Sequence, residues 1–101
     1  MVVSGRKTIT TAGVKVALAS VTTFAGWCTV CADKDNAATV YVGGSTISNG
    51  ATPGGYVGFP LAAGEFVNLR EMGGAAYLDL KHIYVDADSD GDAVTYNYGV
   101  R

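Results

Sequence analysis

The sequence predicts an all-β domain, an antiparallel β-sandwich or jelly-roll-like barrel of about seven strands. Three observations carry this expectation. Period-two alternation recurs wherever β-branched and aromatic residues cluster. Helical periodicity is nearly absent. Short apolar runs end on Gly, Asn or Pro turn signals at spacings suited to a strand-and-turn chain.

Taken in order, residues 1–7 read as a flexible N-terminal arm, followed by a single β domain over 8–101. Thr8-Ile9-Thr10 opens the strand series, and Val14, Val16 and Leu18 then share one face of a second strand. Phe24 to Cys31 alternates as a longer strand whose small residues permit close approach. Thr39-Val40-Tyr41-Val42 is rich in strand formers and stops at Gly43-Gly44. Glu65 to Arg70 alternates again and stops before Gly73-Gly74. His82–Asp86 and Ala93–Tyr98 flank a short acidic connection and read as a β-hairpin.

Two segments do not follow the pattern. Gly43–Gly58 reads as a long surface loop or as two short strands with turns at Asn49-Gly50 and Pro53-Gly54-Gly55, and its residues Tyr56, Val57 and Phe59 are unusually apolar. Ala75–Lys81 reads as a strand entry or as one helical turn feeding the next strand.

Composition narrows the function. In 101 residues there are fourteen glycines and fourteen alanines, charged residues make up only 16 %, and the net charge is −2. Such a chain builds a small core and an under-charged surface, which is the signature of a domain partly covered by partners. Seven basic residues against nine acidic ones disfavour nucleic-acid binding through a broad basic field. No apolar run approaches the roughly 20 residues needed to cross a bilayer. Lys15, Thr22, Thr23 and the bulky Trp27 before Cys28 speak against a signal or lipoprotein sequence, so the expectation is an unprocessed soluble chain.

Candidate chemistry is sparse. Cys28 and Cys31 match a Cys-x-x-Cys spacing, but a redox cysteine sits at a helix N-terminus, whereas residues three apart in a strand face opposite ways. A zinc site would need further ligands, and the chain has one histidine, His82, and no second cysteine pair. The Gly-rich stretches lack the Lys of a phosphate-binding loop. The expectation is therefore a non-enzyme with no catalytic residues and no cofactor.

Asp86-Ala87-Asp88-Ser89-Asp90-Gly91-Asp92 begins as a calcium loop begins. Its twelfth position is Asn97 rather than Glu, and strands rather than helices flank it, which excludes an EF-hand. Two readings stay open: a calcium turn of another kind using Asp86, Asp88 and Asp90, or a solvated hairpin turn. The positive residues Arg6, Lys7 and Lys15 lie far in sequence from this acidic run, and the two ends either meet across a subunit boundary or stand exposed and screened.

Over residues 36–98, the order Thr39-Val40-Tyr41-Val42-Gly43, a Gly-rich stretch, Gly58-Phe59-Pro60-Leu61-Ala62-Ala63-Gly64-Glu65, and Leu78 to Asp88 resembles small virion structural proteins of tailed bacteriophages. The resemblance implies a capsid cement or decoration protein. Such a subunit binds the outer surface of the assembled head over capsomer junctions, with the major capsid protein and its own copies in a homotrimer as partners. It also implies location on the virion capsid surface after synthesis in the host cytoplasm, and no nucleic-acid or membrane partner. A tail, neck or fibre-associated domain, or a calcium-dependent surface-binding module, is the alternative. Candidate partner-binding residues are Arg6 and Lys7 on the arm and Tyr56 and Phe59 in the Gly-rich segment.

Overall fold

The computed structural model describes residues 1–50, 55–70 and 78–100. The turn expected at Pro53-Gly54 and the Gly73-Gly74 stop lie outside the described residues. Among the described residues nine strands form: β1 Val2–Thr8, β2 Val16–Ala17, β3 Phe24–Ala32, β4 Val40–Gly43, β5 Phe59–Leu61, β6 Phe66–Arg70, β7 Leu78–Asp79, β8 Tyr84–Ala87 and β9 Ala93–Val100. A 3-10 turn spans Leu80–His82. The strands make two antiparallel sheets, one ordered β1-β9-β3-β6 with β7 also on β3, the other β2-β8-β4-β5. The all-β sandwich is as expected.

The long strand β3 organises the first sheet, pairing with β9 on one side and with β6 and β7 on the other. Its pairing with β9 shifts register between Ala25 and Trp27. The extra residue, Gly26, changes the parity of the pleat, so that Ala25 and Cys28 both face the core while Trp27 faces outward. Cys28, Val30 and Val94 then meet Val40, Val42 and Val85 of the second sheet, with Ile9, Leu18, Leu61 and Leu80 closing the core. These are small side chains, each contributing about 2 kcal/mol on burial. The core is narrow because the composition allows little else.

Residues 2–7 are not an arm. They form strand β1, paired in continuous register with β9 from Val2–Gly99 to Thr8–Ala93. The segment lacks apolar alternation because β1 is an edge strand, and its backbone hydrogen bonds to β9 order it without a deeply buried face. The expected hairpin of 82–86 with 93–98 is also corrected: β8 lies in one sheet and β9 in the other. The acidic connection arches between the layers. Gly91 donates to the Ile9 carbonyl at 2.8 Å and Asp88 to that of Thr39 at 3.1 Å, so two of its backbone donors find partners outside the turn.

Both readings of the 75–81 region are realised within its described part, since the short strand β7 runs directly into the 3-10 turn. Asp79 caps that turn, accepting the Lys81 N–H at 3.0 Å, and also accepts the Thr23 N–H at 3.0 Å. Cys28 is buried and Cys31 lies on the opposite pleat face, both as free thiols, which is the separation their spacing in a strand requires.

Candidate functional site

The acidic segment is a turn that is exposed at Asp88, Asp90 and Gly91 and buried at both ends. Asp86 is 2 % exposed and accepts N–H groups from Gly13 at 2.9 Å and from Ala87 at 2.8 Å. Asp92, 5 % exposed, accepts the N–H of Ala37 on one oxygen and of Ala38 on the other, both at 2.9 Å. Asp88 accepts from Tyr41 and Gly50, and Asp90 from Ala12. The four carboxylates thus diverge toward three separate loops, 11–13, 36–38 and 49–50, and act as anchors for backbone N–H groups that no strand satisfies. Among the described residues, no group of three or more His, Cys, Asp or Glu is placed to hold a metal ion. The Asp90 contact to Ala12 lies within one chain, just beyond the basic strand β1, so this carboxylate is engaged without a second subunit.

The Gly-rich segment folds over the outer face of the second sheet. Ser48 and Val57 exchange both backbone hydrogen bonds, at 3.1 and 3.2 Å, as an isolated bridge, so the described residues of the segment are tied together without forming full strands. Ile47 is buried and sits against Gly43 and Gly58. Gly58 has φ +125, and a Cβ there would lie 3.1 Å from the Val42 carbonyl oxygen, so the return of the chain into β5 requires glycine. The Tyr56 ring then tilts against Tyr41, with centroids 5.1 Å apart.

This arrangement brings two of the expected partner-binding residues together. Tyr56 and Phe59 are 51 % and 53 % exposed, with Val57 between them at 53 %. Strand β5 is the outer edge of its sheet. The chain turns from β5 into β6 through 62–65, where the Glu65 carboxylate accepts the Ala62 N–H at 2.7 Å and Gly64 donates to the Ala32 carbonyl at 3.0 Å. Phe66, the first residue of β6, is 60 % exposed. That edge of the second sheet therefore presents Tyr56, Val57 and Phe59, whereas Phe66 lies on the pleat face of β6 that it shares with Asn68 and Arg70.

Arg6 and Lys7 do not join this edge. They lie on β1, at the far side of the first sheet from β6, and project to opposite faces of that strand. Arg6 is held by an ion pair with Asp33. The Asp35 N–H and then the Arg6 guanidinium keep the Asp33 carboxyl below its ordinary range. His82 is exposed on the 3-10 turn, its Nε2 3.7 Å from the Asp79 carboxylate.

The exposure of Phe66 on β6 was not anticipated from its own strand. A signal for the edge as a whole is present in the sequence, because no charged residue occurs between Asp35 and Glu65, a run of 29 residues. That run supplies β4, the folded segment and β5. No helix among the described residues is long and apolar enough to cross a membrane.

No family model matches the chain, and no curated protein or solved structure does so either.

Proposed function

We propose that the chain is a non-enzymatic structural subunit of a tailed-phage virion that binds the assembled head as a cement protein, using the Tyr56–Phe59 edge as its contact surface. The observation that carries this reading is the uncharged run from residue 36 to 64 and the half-exposed Tyr56, Val57 and Phe59 that it places on one edge. A surface destined for water is normally dotted with charge, and an edge without it is a surface to be covered. The segments that carry the resemblance to phage virion proteins support the same reading. They contribute β4, β5 and β8, which are neighbours in one sheet, and β7, which pairs with β3 in the other.

Magnitude favours a multivalent role. Completing the burial of three half-exposed apolar side chains contributes about 3 kcal/mol, well short of the roughly 8 kcal/mol of a micromolar complex. Repetition over a symmetric shell, or association into a homotrimer with the major capsid protein beneath it, multiplies such weak contacts by effective concentration. Binding only the assembled shell stabilises that state by about 2.7 kcal/mol per site when the free subunit is at 100 times its dissociation constant.

The test is co-sedimentation of the purified chain with expanded heads that lack it. The Tyr56→Asp, Phe59→Asp double variant is expected to lose retention while keeping its circular dichroism. Undiminished retention of that variant on the heads would overturn the edge as the contact surface, and failure of the unaltered chain to bind heads would overturn the cement reading itself.

A further inference from the structure

The outer face of the five-stranded sheet carries a second site, unrelated to the β4–β5 edge. Its rows are set by strand register. Val2, Gly99, Trp27 and Arg70 stand side by side across β1, β9, β3 and β6, and the next row is Ser4, Asn97, Thr29 and Asn68. A cleft of about 130 Å³ opens between Trp27, Thr29, Asn68, Leu69 and Arg70. We propose that this face binds a uronate-containing polysaccharide, with Trp27 stacked against a sugar ring and Arg70 paired with its carboxylate.

The first argument is the placement of Trp27. A Cβ at Gly99 would lie 2.4 Å from the indole Nε1, so only glycine on β9 lets the ring lie down on the sheet. Trp27 is 37 % exposed. A flat aromatic face with a negative quadrupole suits the electropositive C–H face of a sugar ring.

The second argument is the orientation of the amides. Thr29 Oγ1 donates to Asn68 Oδ1 at 2.6 Å, and Ser4 Oγ donates to Asn97 Oδ1. Both amide oxygens are therefore engaged, which leaves the Nδ2 groups as outward donors two strand spacings, about 9.5 Å, apart. The row offers donors to a ligand rich in hydroxyl and carboxylate oxygens.

Charge supplies the third argument. Arg70 makes no ion pair among the described residues, and no carboxylate occurs in the two rows. One free guanidinium beside an indole and two amide donors matches an acidic sugar. A nucleic acid needs a succession of phosphate contacts, which a face with one unpaired cation among its described residues, in a chain of net charge −2, does not provide. The cleft is also smaller than the ~300 Å³ of an enclosing small-molecule pocket. It is one subsite along a surface that a chain ligand crosses.

Trp27 is the only tryptophan, so its fluorescence reports directly on the site. Titration with oligogalacturonate is expected to change the emission saturably. Arg70→Gln, checked for an unchanged thermal midpoint, is expected to weaken binding about tenfold, and Asn68→Ala to weaken it while leaving Arg70 in place. A neutral galactan oligomer should bind more weakly than oligogalacturonate by a similar factor. The proposal is overturned if oligogalacturonate produces no saturable change, if the neutral oligomer or oligothymidylate binds as tightly, or if Arg70→Gln binds as the unaltered chain does.

Discussion

The Tyr41 hydroxyl donates to Asp88 Oδ2 at 2.8 Å, while the other oxygen of the same carboxylate accepts the Gly50 N–H at 2.7 Å. This pair ties the acidic connection, the second sheet and the Gly-rich segment together, because Tyr41 is also the residue against which Tyr56 rests. Burial, and then the hydrogen bond to Asp88, push the Tyr41 phenol up to about 12. A raised folded-state pKa on a phenol favours the neutral form in the native state. The resulting stabilisation is fully present below the unfolded value near 10 and is lost as pH rises through about 12. Absorbance titration of phenolate should therefore show late-ionising tyrosine that is reduced by one group in Tyr41→Phe, burial also raising Tyr96, and that variant should lose about 1 kcal/mol in urea denaturation at neutral pH.

Asp92 is expected to matter more than Tyr41. Its carboxylate is the partner of two backbone N–H groups in a buried setting, and Asp92→Ala leaves both without an acceptor. The expected cost is about 3 kcal/mol, and the thermal midpoint should fall by more than about 10 °C. Asp92→Asn retains one amide oxygen and should lose less. Equal midpoints for Asp92→Ala and the unaltered chain would remove the anchoring role.

Acid sensitivity should be traceable to Asp79. The Thr23 N–H first, then the Lys81 N–H and the nearby His82 and Lys81 charges, lower its pKa against a smaller opposing effect of desolvation. A lowered folded-state value gives stability that is present above the ordinary carboxylate pKa and lost as pH falls through the folded one. Asp79→Asn should thus be less stable than the unaltered chain at pH 7, with the gap closing on acidification below the usual 3.8. A gap that stays constant down to pH 2 would contradict this account.

The two thiols should differ sharply. Burial pushes Cys28 up to about 11, whereas Cys31 lies on the outer face of the same strand. Maleimide at pH 7 should label one thiol per native chain and two after denaturation, and Cys31→Ser should abolish the native labelling. Native labelling of Cys28 in that variant would show that β3 opens locally.

Gly58→Ala tests the geometry of the edge proposed to contact the head. The substitution forces alanine into φ +125 against the Val42 carbonyl, at an expected cost of about 2 kcal/mol. Because the strain falls where the Gly-rich segment rejoins β5, head retention should fall in this variant by more than in Gly44→Ala, where a Cβ meets nothing within 4 Å.

Much of this architecture was legible locally. Alternation in Phe24–Cys31 and Ala93–Tyr98 marks strands that are half buried, and it also separates Cys28 from Cys31, because the pleat has period two irrespective of what it packs on. The apolar character of Tyr56 and Phe59 was equally visible. Strand β1 was not, since Val2-Val3-Ser4-Gly5-Arg6-Lys7 carries no alternation and is ordered by backbone bonds to β9, some ninety residues away. Strand β5 is three residues long and contains Pro60, so it is recognisable only beside β4.

The sequence by itself determined the fold class, the small core and the lack of charge along one stretch, because these follow from composition and from periodicity within a few residues. Only the tertiary structure decided which sheet each strand joins. A turn between β8 and β9 is compatible with a hairpin or with an arch between layers, and the choice rests on where Asp86, Asp88, Asp90 and Asp92 find their donors. Those donors are the N–H groups of Gly13, Gly50, Ala12, Ala37 and Ala38, all distant in sequence. The same holds for the outer-face rows, in which Trp27 meets Gly99 and Arg70 only through strand register. Local chemistry names the strands, but hydrogen bonds between residues far apart in the chain assign them their neighbours.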